Sequence, residues 1–117
     1  MENDIFNVSE ALSRMDGDIE LLKEIAGLFL ESYPSQLAGI QHAIARNDSK
    51  ALESAAHDIK GSVGVFCAKP AFDAALRLEI MGRESNLTRG KETYIMLEKE
   101  IERLRPKLEA IISEKTP

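Results

Sequence analysis

The run Ala55-Ala56-His57-Asp58-Ile59-Lys60-Gly61-Ser62-Val63-Gly64 puts an imidazole, an ammonium and two glycines at helical spacing. At about 100° per residue, positions 57, 60, 61 and 64 share roughly one third of a helix circumference. Leu52, Ala56, Ile59, Val63 and Phe66 take the other side, at the spacing of a buried stripe. His57 is therefore predicted to face away from the core. Neutral imidazole is a nitrogen nucleophile near neutral pH. Lys60, one turn on, can hold the oxygens of a phosphoryl group as a point charge. Each glycine costs about 1 kcal/mol relative to alanine in a helix interior. Two of them on the histidine's own face leave another surface room to approach the backbone and the imidazole. These residue types at this spacing suit a histidine that carries phosphate and is read by a docking protein.

Other chemistries fit the chain less well. Glu53 and His57 lie four apart, but a bundle di-metal site needs Glu-x-x-His on two helices plus further glutamates. The chain has two histidines and no such motif, so neither a metal nor a cofactor is expected. His42 has no neighbour that suggests chemistry and reads as a surface histidine. No glycine-rich phosphate loop of either common kind occurs, so no nucleotide site is expected. Ser62 beside His57 does not make a hydrolase, because no oriented base or oxyanion hole can be read. A net charge of -5 argues against nucleic-acid binding. No apolar run approaches a membrane span, and Met1-Glu2-Asn3-Asp4 is no signal peptide. The single cysteine, Cys67, cannot close an internal disulfide and reads as a small buried hydrophobe. A cytoplasmic setting is expected, either alone or as the cytoplasmic part of a membrane-anchored protein.

The elements that must present His57 read at helical period throughout. The chain has 117 residues, 44% hydrophobic and 30% charged, which is a globular balance. Asn7 caps a short helix running to about Met15, with Glu10 three residues on. Asp16-Gly17-Asp18 is a turn signal. Ile19, Leu22, Ala26, Phe29, Tyr33, Leu37, Ile40 and Ile44 form the next stripe, which Pro34 is expected to kink or split. Asn47-Asp48-Ser49 ends it and caps the helix that bears His57. Pro70 opens a further helix, with Ala71, Ala74, Ala75, Leu78 and Met81 inward and an end near Gly82. Asn86-Leu87-Thr88 opens the last segment, where Tyr94, Leu97, Ile101, Leu104, Leu108 and Ile111 make a bundle seam. Pro106 is expected to kink or break that seam, and the tail from Ser113 is expected to fray. The pattern predicts an all-α, antiparallel four-helix bundle with a short extra N-terminal helix as a lid. It reads as a single domain over residues 1–117, with its core at about 7–112.

The stretch Ala56-His57-Asp58-Ile59-Lys60-Gly61-Ser62, with Ala68 and Leu78-Glu79 following, resembles the histidine-containing phosphotransfer (HPt) domain of multistep phosphorelays. The similarity also takes in the Asp16-Gly17-Asp18 turn and the Leu28-Phe29-Leu30 to Pro34 stretch. The resemblance implies a four-helix bundle that carries phosphoryl groups between receiver-domain aspartates. It implies no ATP site and no enzyme of the usual kind. His57 matches the phospho-acceptor, modified on Nε2, and Lys60 matches the lysine that steadies the phosphoryl oxygens. Gly61 and Gly64 match small positions beneath a docked receiver. Glu79 stands where related domains often have glutamine; it can accept from imidazole Nδ1–H, or it can be a rim carboxylate pairing with Arg83. Arg83 can reach toward the phosphate. Cys67 departs from the family pattern, which has glycine there. The implied partners are response-regulator receiver domains, which carry their own Mg²⁺, and a hybrid sensor histidine kinase in cis. The alternatives are direct phosphorylation by an ATP-dependent kinase domain, or a helical adaptor that only binds. A monomer is the default.

Overall fold

The computed structural model describes residues 5–114. Helix α1 spans Val8–Arg14, α2 Ile19–Ala45, α3 Ser49–Gly64, α4 Lys69–Arg83 and α5 Gly90–Ser113. The last four close a ring: α2 packs on α3 and α5, and α4 packs on the same two. Short connections between consecutive long helices make this an antiparallel four-helix bundle, with α1 added at one end. Residues 1–4 and 115–117, including most of the tail expected to fray, lie outside the described residues.

Local sequence fixes the helix starts. Asn7, Asp18 and Asp48 each accept a hydrogen bond from the backbone N–H three residues on, satisfying a donor that the first turn leaves free. α4 has no such side-chain cap and opens on Lys69-Pro70, where proline's missing N–H costs nothing. The last helix does not open at Asn86-Leu87-Thr88 as expected. The Asn86 side chain accepts from the backbone N–H and hydroxyl of Thr88, forming a local turn, and the helix begins at Gly90.

Neither internal proline breaks its helix. α2 runs through Pro34 and α5 runs through Pro106. Both prolines lie on exposed faces, so water can reach the carbonyls that lose a partner, while the buried stripes continue past them. On α2 that stripe is Leu22, Ala26, Phe29, Leu37 and Ile40. The α5 seam Tyr94, Leu97, Ile101, Leu104, Leu108 and Ile111 faces it, all at most 9% exposed. Phe66, just past α3, sits edge-on to both Phe6 and Phe29 at 5.6 Å between ring centres. The Asn7 N–H donates to the Phe66 carbonyl, which ties the start of the described chain to the end of α3.

Two backbone features set the α3–α4 hairpin. Cys67 has φ 52°, a left-handed conformation, in the turn that ends α3. The Cys67 and Ala68 N–H groups bond back to the Gly64 and Val63 carbonyls, a closure that glycine ordinarily makes. Glycine's freedom at positive φ is the physical reason the related pattern has it at this position. Gly82 marks where α4 comes closest to α3. A Cβ there would lie 2.5 Å from the Glu53 nitrogen and 2.6 Å from the Ser49 oxygen, both rigid backbone atoms. Gly82→Ala is accordingly expected to force the two helices apart and cost about 1–3 kcal/mol, read as a lower urea midpoint at unchanged slope.

Candidate functional site

The close approach at Gly82 registers one helix on the other. α3 and α4 run in opposite directions, so one turn before Gly82 on α4 lies beside one turn after Glu53 on α3. Those residues are Glu79 and His57. The His57 side chain is 65% exposed, whereas that of Glu79 is 5% exposed, in the seam between the helices. The imidazole Nδ1 lies 3.0 Å from Glu79 Oε2.

Three basic groups converge on this one carboxylate. Lys60 Nζ is 2.7 Å from Glu79 Oε1. Arg83 donates from Nη2 to Oε2 at 3.1 Å and from Nε to Glu53 Oε2 on α3, also at 3.1 Å. The Lys60 ammonium beside it holds the Glu79 carboxyl below the usual carboxylate range; burial opposes this, and the His57 hydrogen bond and charge add to it. Glu79 is thus ionised and can only accept, so the proton between it and His57 sits on Nδ1. In the neutral ring that tautomer leaves Nε2, the outer nitrogen, with a free lone pair.

Of the two sequence readings of Glu79, the rim carboxylate needs correction: it pairs with Arg83, but from a buried position. Lys60 also differs from a lysine standing free beside the histidine. Its side chain is only 20% exposed, it lies on Glu79, and its Nζ is 5.8 Å from the Phe72 ring centre. Arg83 points at two carboxylates. Gly61 is exposed, and a Cβ there would meet nothing within 4 Å, whereas one at Gly64 would touch the Phe72 ring at 3.4 Å. Cys67 is half-buried rather than fully buried, and desolvation pushes its thiol up.

Around Gly61 the surface is concave and largely apolar. A groove of about 800 Å³ is lined by Met15, Ile25, Lys60, Gly61, Gly64 and Phe72, among others. A second cleft on the other side of Gly61 has Ile25, Leu28 and Phe29 in its wall. Leu28 is 60% exposed. Ile25 and Phe72 carry no sequence motif that marks them, and Leu28 enters only as part of the family-like Leu28-Phe29-Leu30 stretch, although Leu21, Ile25 and Leu28 recur at helical spacing beside the main α2 stripe. Among the described residues, no group of three or more histidine, cysteine or carboxylate side chains could hold a metal ion, and no helix is long and apolar enough to cross a membrane.

The model of the Hpt domain family matches residues 24–107, which takes in all of α3 and α4 and most of α2 and α5. The chain belongs to the Hpt domain family, whose members are phosphocarrier modules of two-component signalling that work with receiver domains and kinases. The helical bundle agrees with that membership. No curated protein and no solved structure matches the chain.

The depressed Glu79 ionisation has a consequence for stability. Below its ordinary value of about 4.3 the unfolded chain takes up a proton that the folded chain still refuses, so stability rises with pH in that window. The contribution is fully present above the ordinary value and is lost as pH falls through the lower, folded one. Glu79→Gln removes it. The gap in unfolding free energy between wild type and this variant is expected to be widest near pH 6 and to narrow toward pH 3 in urea titrations; a constant gap would contradict it.

Proposed function

We propose that the chain is a phosphorelay intermediate that accepts a phosphoryl group on His57 from a receiver-domain aspartate and passes it to another receiver. The observation that carries this reading is the exposed imidazole whose Nδ1 is engaged by a buried, ionised carboxylate, with Nε2 outward on a face bearing two glycines. A histidine kept for packing or for surface charge needs no such partner.

In the proposed step, the lone pair of His57 Nε2 attacks phosphorus, the N–P bond forms, and the aspartyl O–P bond breaks. The aspartate leaves as a carboxylate. Nδ1 keeps its proton, so the ring becomes positive, and Glu79 faces that charge across 3.0 Å. Lys60 supplies the cation for the phosphoryl oxygens, and Arg83, held by two carboxylates at the rim, adds positive potential near them. Gly61 and Gly64 keep the surface low enough for the receiver to bring its aspartate to Nε2. The apolar groove and cleft on either side of Gly61, with exposed Leu28, give it a surface to bury.

The same reading takes residues 1–117 as one domain that functions as a monomer in the cytoplasm, either alone or as the C-terminal domain of a hybrid sensor kinase. The bundle ring supports the single domain and the monomer, since the buried stripes of all four helices are satisfied within one chain. The protein itself has no need of ATP or a metal, because the phosphoryl donor arrives already activated on the receiver.

Incubation with a receiver domain charged with ³²P-labelled acetyl phosphate tests this reading. Wild type is expected to take up label that is acid-labile and base-stable, and His57→Gln to take up none. Equal labelling of the variant, or no labelling of wild type by any receiver tried, would refute the proposal.

A further inference from the structure

Lys60 is asked to do two things. It neutralises the buried Oε1 of Glu79 at 2.7 Å, and under the reading above it steadies the phosphoryl group on His57. One ammonium cannot serve both fully. His57 and Glu79 flank it from different helices, and Nε2 lies on the side of the ring away from Glu79.

We infer that Glu79 competes with the phosphoryl group for Lys60 and so sets how tightly His57 holds its cargo. This rests on the phosphotransfer reading and concerns the equilibrium of that same site. The two oxygens of the carboxylate have different partners. Oε2 is held by His57 Nδ1 and Arg83, neither of which depends on Lys60. Oε1 has only Lys60 among the contacts of the site, and the side chain is 5% exposed. When Lys60 turns to the phosphoryl oxygens, Oε1 is left in a buried position with its charge poorly compensated. The phosphorylated state therefore bears a penalty that a neutral amide at position 79 would largely avoid. A glutamine could still accept from Nδ1–H through its carbonyl while leaving the lysine unclaimed. The Lys60–Glu79 pair thus makes this domain a readier donor than one with glutamine in that place.

Glu79 also acts on the ring directly, where its charge favours the positive phospho-imidazole. That effect opposes the competition and has to be separated from it. Glu79 is in this sense a positioning residue with two routes to the same equilibrium, one through Nδ1 and one through Lys60.

A double-mutant cycle separates the routes. Wild type, Glu79→Gln, Lys60→Gln and the double variant are each mixed with the ³²P-charged receiver domain, and the partition of label is measured at equilibrium. Circular dichroism checks that each variant is folded. Changing Glu79 to Gln is expected to move label toward His57 about tenfold more when Lys60 is present than when it is replaced. Equal effects in both backgrounds, or a coupling of opposite sign, would overturn the competition while leaving phosphotransfer intact. If a variant is unfolded, the neutral Glu79→Met and Lys60→Met replace it in the cycle, with the same criterion. Absence of label on wild type would overturn both the competition and the phosphotransfer reading.

Discussion

The site depends on one buried negative charge. Glu79 lies in the α3–α4 seam with little access to water, and an ionised carboxylate is stable there only because Lys60, Arg83 and His57 converge on it. That single constraint orders the rest of the site. It fixes the proton of the imidazole on Nδ1, draws Lys60 in from solvent, and ties Arg83 to both helices. The helices in turn must be close enough for a glutamate on one to reach a histidine on the other. Gly82 permits that distance, and Glu53, beside it on α3, holds the far end of the network through Arg83.

The bundle serves mainly to hold that seam rigid while leaving one side of α3 uncovered. Buried stripes on α2 and α5 close the ring behind it, and the Phe66 cluster and the Cys67 turn finish the end nearest Gly64. Met15, just past α1, extends the apolar surface next to Gly61. The face that bears His57 therefore combines a fixed, polar interior with a shallow apolar surround. Such a combination suits a carrier: the His57 imidazole is exposed rather than enclosed, and a partner can approach it from outside.

Much of this was legible in the sequence. Apolar periodicity located the long helices and the residues that fill the core, because a bundle helix has to repeat its buried stripe at about 3.6 residues. The caps at Asn7 and Asp48 were readable for a similar reason, since each meets a local need of the first turn; Asp18, which caps α2, showed in the sequence only as part of a turn. Pro34 and Pro106 do not split their helices; sequence shows the lost hydrogen bond but not that it falls on a wet face. The start of α5 was placed early because Asn86 satisfies its own turn, a competition between local motifs that neighbouring residues do not decide. At the site, the face shared by His57, Lys60, Gly61 and Gly64 followed from helical spacing alone. The burial of Glu79 and its hold on Lys60 did not, as both depend on how closely two helices separated in sequence approach. Gly82 was the available signal, a glycine inside an apolar stripe, and it was read only as a stop.

The claim on which the account turns is that Glu79 keeps the His57 proton on Nδ1 and leaves Nε2 free to react. Long-range ¹H–¹⁵N correlation NMR of the imidazole reads this directly, on ¹⁵N-labelled protein above pH 8. The account expects His57 as the Nδ1–H tautomer in wild type, with Nε2 showing the shift of an unprotonated nitrogen. A His57 found as the Nε2–H tautomer, the common form of free histidine, would contradict it.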